Sequence, residues 1–290
     1  MRSRTIAALI GLVVGAVSSV LGQSLFIPSL VAQSRVAQSL PAQAWTLPQG
    51  TTVKDNGPRV YRFTVEYNMA NAKGETSIRQ RLTGDYTRGL PGGDVMWNNV
   101  AQADAMGATA PFGAPQKRDF MEGFRYNNAL ANSMKPEFFK VFPPTAVMER
   151  NLVWDTGMIE YFGQGFFDHL KLNEPYQILS DQDVNMPDVG RFRNHNVVLE
   201  WVGRSLRNGQ DCALIRYEAF LNPVELATGG MSLIGRSEYW GEIWVSLATK
   251  QIEYGTLTES VVGEMKLPGQ DTTQVMNVFR TATFEPVSTK

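Results

Sequence analysis

The sequence predicts an α+β fold: a curved antiparallel β-meander, open as a half-barrel, with a helical insertion covering one face. Three observations predict it. Tyr61, Phe63, Val65, Tyr67 and Met69 alternate with Arg62, Thr64, Glu66 and Asn68, the period-two pattern of a half-buried strand. Residues 197–285 form a run of long alternating segments joined by short turns. Between these regions, residues 101–172 lose the alternation and concentrate phenylalanine. A closed, lipocalin-like barrel is the structural alternative.

The chain opens with Arg2 and Arg4 before an almost unbroken apolar stretch at 6–21, followed by small residues. That is the pattern of a secretory signal peptide, or of an uncleaved membrane anchor of nearly spanning length. Residues 1–22 are therefore read as signal or anchor. Residues 23–58, rich in Gln, Ser, Ala and Pro, read as a disordered spacer. Residues 59–290 are read as a single β-rich domain. The expected location is outside the cytoplasm: periplasmic, cell-envelope or secreted.

Asn71-Ala72-Lys73-Gly74 supplies turn chemistry after the first strand, and Ile78, Leu82 and Tyr86 share parity on the next. A third, shorter strand is expected at 95–100. In the insertion, Pro136-Glu137 suits a helix start and Pro143-Pro144 a stop. Asp155 is expected to cap a second helix whose stripe is Met158, Phe162, Phe166 and Leu170. Gly163 and Gly165 weaken that helix by about 1 kcal/mol each relative to Ala.

The meander resumes near Tyr176. Asn208-Gly209 is a two-residue hairpin turn, and counting from it sets Val202 opposite Ile215 and Trp201 opposite Arg216 as a cation–π pair. Counting from Thr249-Lys250 sets Trp244 over Gly255 and Glu259 opposite Trp240. On the strand between these turns Tyr239, Gly241, Ile243 and Val245 make a core face. Glu238, Trp240, Glu242 and Trp244 form a stripe of acids and tryptophans on the other.

Composition limits the function classes. The chain has a formal charge of -1. Residues 1–44 carry three arginines and no acid, so without them the charge is about −4, which argues against nucleic acid as a partner. Cys212 is the only cysteine, so no intrachain disulfide forms, and its strand-like setting reads as a buried hydrophobe. Two histidines, His169 and His195, with one cysteine leave a zinc site short of ligands. Asp181, Asp183 and Asn185 imitate a calcium loop, yet Met186 stands where glycine is needed and Phe192 where glutamate is. No metal and no cofactor are expected.

The run from Gly163 and Gly165 has Asp168 in the third glycine's place, and Gly230 to Gly235 is too long for a nucleophile elbow. A serine triad would need His169, expected as a capping or surface residue, or His195, expected in a turn. Glu238 and Glu242, four strand residues apart, have backbones about 13–14 Å apart. Glycoside hydrolysis needs its carboxyls within about 5–9.5 Å. The chain is therefore read as noncatalytic rather than as an enzyme.

In outline the chain resembles the half-barrel periplasmic lipoprotein carriers of the LolA/LppX-like class. The resemblance rests on the signal-like start, the opening hairpin at 60–88, helices in the middle, the meander at 197–284 and the strand–turn–strand around Trp244, Thr249, Lys250, Gln251 and Ile252. It implies a noncatalytic carrier of acyl chains in the concave sheet. No motif matches residue by residue, so no functional residue is carried over.

The leading expectation is an exported binder of a lipid-like apolar ligand, or of an envelope protein, between sheet and insertion. Its candidate ligand-binding residues are Phe120, Phe124, Phe138, Phe139, Phe162, Phe166, Trp240 and Trp244. The alternatives are a carbohydrate-binding or carbohydrate-active protein using the Glu/Trp stripe, and a structural subunit of an envelope complex.

Overall fold

The computed structural model describes residues 46–287, apart from 51, 129–132, 134, 187–188, 229 and 270. The signal or anchor assigned to residues 1–22 lies outside the described residues. Among the described residues no helix is long and apolar enough to cross a membrane.

The architecture is α+β. Eleven antiparallel strands form one open, curved sheet, which rules out the closed barrel. The strands are β1 (Arg59–Asn71), β2 (Thr76–Arg88), β3 (Asp94–Met106), β4 (Gln116–Lys117), β5 (Phe124–Asn127), β6 (Pro175–Met186), β7 (Gly190–Arg207), β8 (Gln210–Thr228), β9 (Met231–Ser246), β10 (Ile252–Lys266) and β11 (Thr273–Pro286). The spatial order is β4-β3-β2-β1-β11-β10-β9-β8-β7-β6, and β5 pairs with the other end of β3. The first and last strands thus meet in the middle of the sheet, with Val65 opposite Ala282. The connection from β5 to β6, sheet edge to sheet edge, carries the helix α1 (Val147–Gln164).

Alternation decides which face is inner. Phe63, Val65, Leu82, Tyr217, Ile243 and Phe284 are buried on one side of the sheet, while Trp240 on the other side is 38% exposed. Large apolar side chains buried in this way contribute about 1.5–3 kcal/mol each. Helix α1 lies on the inner face, and two glycines let it lie close. A Cβ on Gly163 would come within 3.0 Å of Ile243 Cγ2, and one on Gly255 within 3.0 Å of Ile159 Cγ2.

Several expectations need correction. The third strand runs on to Met106, because Ala103 and Ala105 are buried against the sheet where a loose segment was expected. The Pro136 helix is only a 3-10 turn, Pro136–Phe139. Asp155 is not a cap but sits buried in mid-helix, since α1 begins eight residues earlier at Val147. His195 lies in β7, not in a turn.

Two registers are overturned, one by a bulge and one by a longer turn. At Trp201/Gly203 an extra residue shifts the ladder, so Trp201 faces Ile215 and turns into the core at 1% exposure. The pair with Arg216 does not form; Glu200 takes that place. The turn between β9 and β10 is longer than the two residues Thr249-Lys250, which shifts the ladder by two, and a bulge at Ile252/Tyr254 takes one back, so Trp244 faces Tyr254, Gly255 faces Ile243 and Glu259 faces Tyr239. Gly255 therefore makes room for the helix, not for an indole. The stretch read as spacer also joins the domain at its end: Leu47 is buried, and Asp55 pairs with Arg88.

Candidate functional site

The aromatic insertion is built in short steps along the β3 edge. β4 leads into a 3-10 turn, Asp119–Met121, and β5 then pairs with the start of β3, Tyr126 facing Val95 and Phe124 facing Trp97. An extended Lys135 precedes the 3-10 turn, whose fixed φ at Pro136 sets the next residues in helical order. Phe138 and Phe139 follow, their rings 4.8 Å apart and nearly perpendicular.

The rings interlock edge to face. Phe138 meets Phe124 at 5.7 Å and Tyr126 at 5.1 Å, Phe120 meets Phe142 at 5.1 Å, and Phe139 meets Trp154 of α1 at 5.3 Å. Each such pair adds about 0.5–1.5 kcal/mol beyond burial. The Tyr126 hydroxyl accepts from Trp97 Nε1 at 3.1 Å, which pins its ring. Phe139 and Phe142 are buried, whereas Phe120, Phe124, Tyr126 and Phe138 are only partly so. Beside them opens a groove of about 260 Å³, walled by Tyr126 and Phe138, with Asn127, Lys135 and Glu137 completing its lining.

The predicted residues fall in three places. Phe120, Phe124, Phe138 and Phe139 come together in this cluster. Phe162 is buried against Tyr217 at 5.2 Å, and Phe166 packs between Tyr161 and Tyr176, on the other flank of the helix. Trp240 and Trp244 lie on the outer face, where Phe220 stands 6.3 Å from Trp240 and Tyr254 stands 5.3 Å from Trp244. Arg207 lies over both Trp244 and Tyr254. The acids of the stripe pair with arginines, Glu238 with Arg236 at 3.3 Å and Glu242 with Arg216 at 3.2 Å.

What sequence reasoning missed is the charge beneath and around the helix. Arg280 of β11 is buried and donates to Asp155 of α1, at 3.0 Å from Nη2, and through Nε to Glu259 of β10. Ser237 donates to the other Glu259 oxygen, and Asn151 and Arg280 both donate to the Tyr67 hydroxyl. Burial pushes Asp155 up to about 6, against the pull of Arg280. Burial also works against the Arg280 charge, but Asp155 and Glu259 more than restore it, so it stays charged.

Two further acids of α1 meet arginines of the sheet side. Glu160 receives Arg88 at 2.8 Å and the Tyr86 hydroxyl at 3.1 Å, while Glu149 faces Arg118 at 2.7 Å. Burial raises Glu149. The available signal was parity: Glu259 and Arg280 occupy core-facing positions on neighbouring strands, where a charge requires an opposite partner. Elsewhere, Cys212 is fully buried and its thiol is pushed up to about 11 by burial, an inert setting. Among the described residues no group of His, Cys, Asp and Glu is arranged to hold a metal ion.

No protein-family model and no curated protein matches the chain. Among solved structures, it is similar to lipovitellin, from a study of its lipid–protein interactions, with a TM-score of 0.37 and 11% identity over 81% of this chain and 26% of that one. It is also similar to a candidate AttH protein from Nitrosomonas europaea, with a TM-score of 0.25 and 11% identity over 88% of this chain and 59% of that one. A candidate exported protein with a YmcC-like fold from Bacteroides fragilis gives a TM-score of 0.16 and 10% identity over 81% of this chain and 97% of that one. The chain thus spans about a quarter of lipovitellin and less than two thirds of the AttH protein.

Proposed function

We propose that this is an exported, noncatalytic protein that holds a lipid-like apolar ligand in the aromatic insertion. The groove at Tyr126 and Phe138 carries the reading. It opens onto partly exposed rings, while the inner face under α1 is filled by fully buried side chains such as Leu152 and Ile159. An acyl or aromatic group would stack on Phe138 and Tyr126, and Lys135 and Glu137 beside them would meet a polar head. The groove is small, so it suits one chain end rather than a whole lipid.

Native mass spectrometry of the protein purified from its own envelope fraction tests this. A co-purifying lipid that dissociates on activation is the expected result; bare protein, with no uptake of fluorescent fatty acids, would contradict it. A second reading, an envelope protein partner, draws on the outer face of β9–β11, where Ile234, Trp240, Val262, Val275 and Phe279 are exposed.

A further inference from the structure

The outer face of β6–β8 carries a second groove, of about 360 Å³, in a place where a regular sheet would be flat. Its floor is one cross-strand row. Gln177 of β6 faces Val198 of β7 and Val198 faces Glu218 of β8, and Trp240 of β9, opposite Glu218, continues the row beyond the groove. Residues directly opposite share a face, so the whole row lies on the side away from α1.

The walls are made by irregular backbone. Between Ala219 and Asn222 the β8–β9 ladder slips by one residue, so Phe220 and Leu221 together stand opposite Glu238 and rise beside the row. Leu221 has φ +61° and Asp181 of β6 has φ +49°, left-handed conformations that cost a non-glycine residue about 1 kcal/mol or more. Asn222, fully buried, holds the bulge in shape: it donates to the Ala219 and Ser237 carbonyls and accepts from the His195 amide. His195 lines the opposite wall with Ser180 and Asn196. Its Nδ1 lies 2.9 Å from Asp181 Oδ1, and that hydrogen bond holds the Asp181 carboxyl below its usual range. That contact orients the ring in the wall of the groove.

The lining chemistry selects a ligand class. None of the lining residues is a lysine or arginine, and Glu218 is among them, which disfavours an anion. Gln177, Ser180 and Asn196 offer uncharged donors and acceptors, and Glu218 and His195 add acceptors. Phe220, 40% exposed, and Trp240, 38% exposed, present apolar ring faces 6.3 Å apart beside them. An uncharged ring with an apolar C–H face and hydroxyls around its rim satisfies both sets. We propose that this groove binds a sugar ring, with Glu218 and the amides holding its hydroxyls and Phe220 stacking on its face. The volume lies at the small end of small-molecule sites, about 300–1,000 Å³, which fits one or two rings.

The test is calorimetric titration of the full chain with glucose, galactose, mannose, N-acetylglucosamine, cellobiose and lactose, with saturation-transfer NMR on any that bind. Saturable binding of at least one is expected, weakened tenfold or more by Glu218→Gln and by Phe220→Ala and unchanged by Met106→Ala at an exposed position on β3. Should Phe220→Ala fail to fold, Glu218→Gln decides alone, being isosteric at an exposed position. No saturable binding across the panel, or binding that Glu218→Gln leaves intact, overturns the proposal.

Discussion

Gly163 of α1 lies against Ile243 of β9 so closely that a Cβ would stand 3.0 Å from Ile243 Cγ2. Sequence propensity marks this glycine as a weak point in a helix, and the sheet beneath explains its presence. Gly163→Ala exchanges about 1 kcal/mol of helix propensity for that contact, so its net effect should be small. Gly163→Val adds bulk that β9 cannot yield to and should lower unfolding free energy by about 1–3 kcal/mol, read as a lower urea midpoint at unchanged slope.

The pairing of Arg280 with Asp155 and Glu259 makes a second prediction. Arg280→Leu leaves two buried carboxylates facing each other without a cation, and should cost about 3–5 kcal/mol in chemical denaturation. Asp155→Asn keeps the Arg280–Glu259 pair and should cost less. A smaller loss for Arg280→Leu than for Asp155→Asn would show that the arginine is not the anchor of the cluster.

Asp155 also makes stability depend on pH in a specific direction. Its folded value, about 6, lies above the ordinary 3.8, so between these values the folded state binds the proton more tightly. Its stabilising contribution is therefore complete below about pH 4 and is lost as pH rises through 6. The difference is about 3 kcal/mol at most, at 1.36 kcal/mol per pH unit. Other acids titrate as well, so the test is the difference between wild type and Asp155→Asn in urea melts at pH 4, 5, 6 and 7. That difference should favour wild type increasingly toward low pH.

Much of this fold was legible from alternation. The inward sets of β1 and β9 follow from period two alone, because a sheet with one buried face must place every second residue in the core. Asn208-Gly209 located its hairpin correctly, with Arg207 facing Gln210. The registers further out failed where a bulge or a longer turn adds residues that no hydrophobic pattern announces; Trp201 moved from an expected outer position to the core through its bulge alone. The aromatic cluster was visible as composition, but not its division, since ring contacts across β5, the 3-10 turn and α1 depend on tertiary placement. Asp155 was misread because an acid before an apolar stripe imitates a cap, while its partner Arg280 lies far away in sequence.

Asn222 offers a local prediction at the outer groove. Its side chain is fully buried and makes hydrogen bonds to three backbone groups. Asn222→Ala should cost about 1–3 kcal/mol by leaving those groups unpaired. Amide hydrogen exchange at His195 should accelerate in the variant even at pH values where the global fold is intact, because the His195 amide loses its acceptor.

Titration of the full chain with a fluorescent fatty acid, comparing wild type with Phe138→Ala and the groove-filling Phe138→Trp, tests the aromatic insertion as the ligand site most directly. Saturable binding by wild type, weakened at least tenfold in both variants while their thermal melts stay within a few degrees, is the predicted result. Binding that both variants retain, or no binding by wild type, would contradict it.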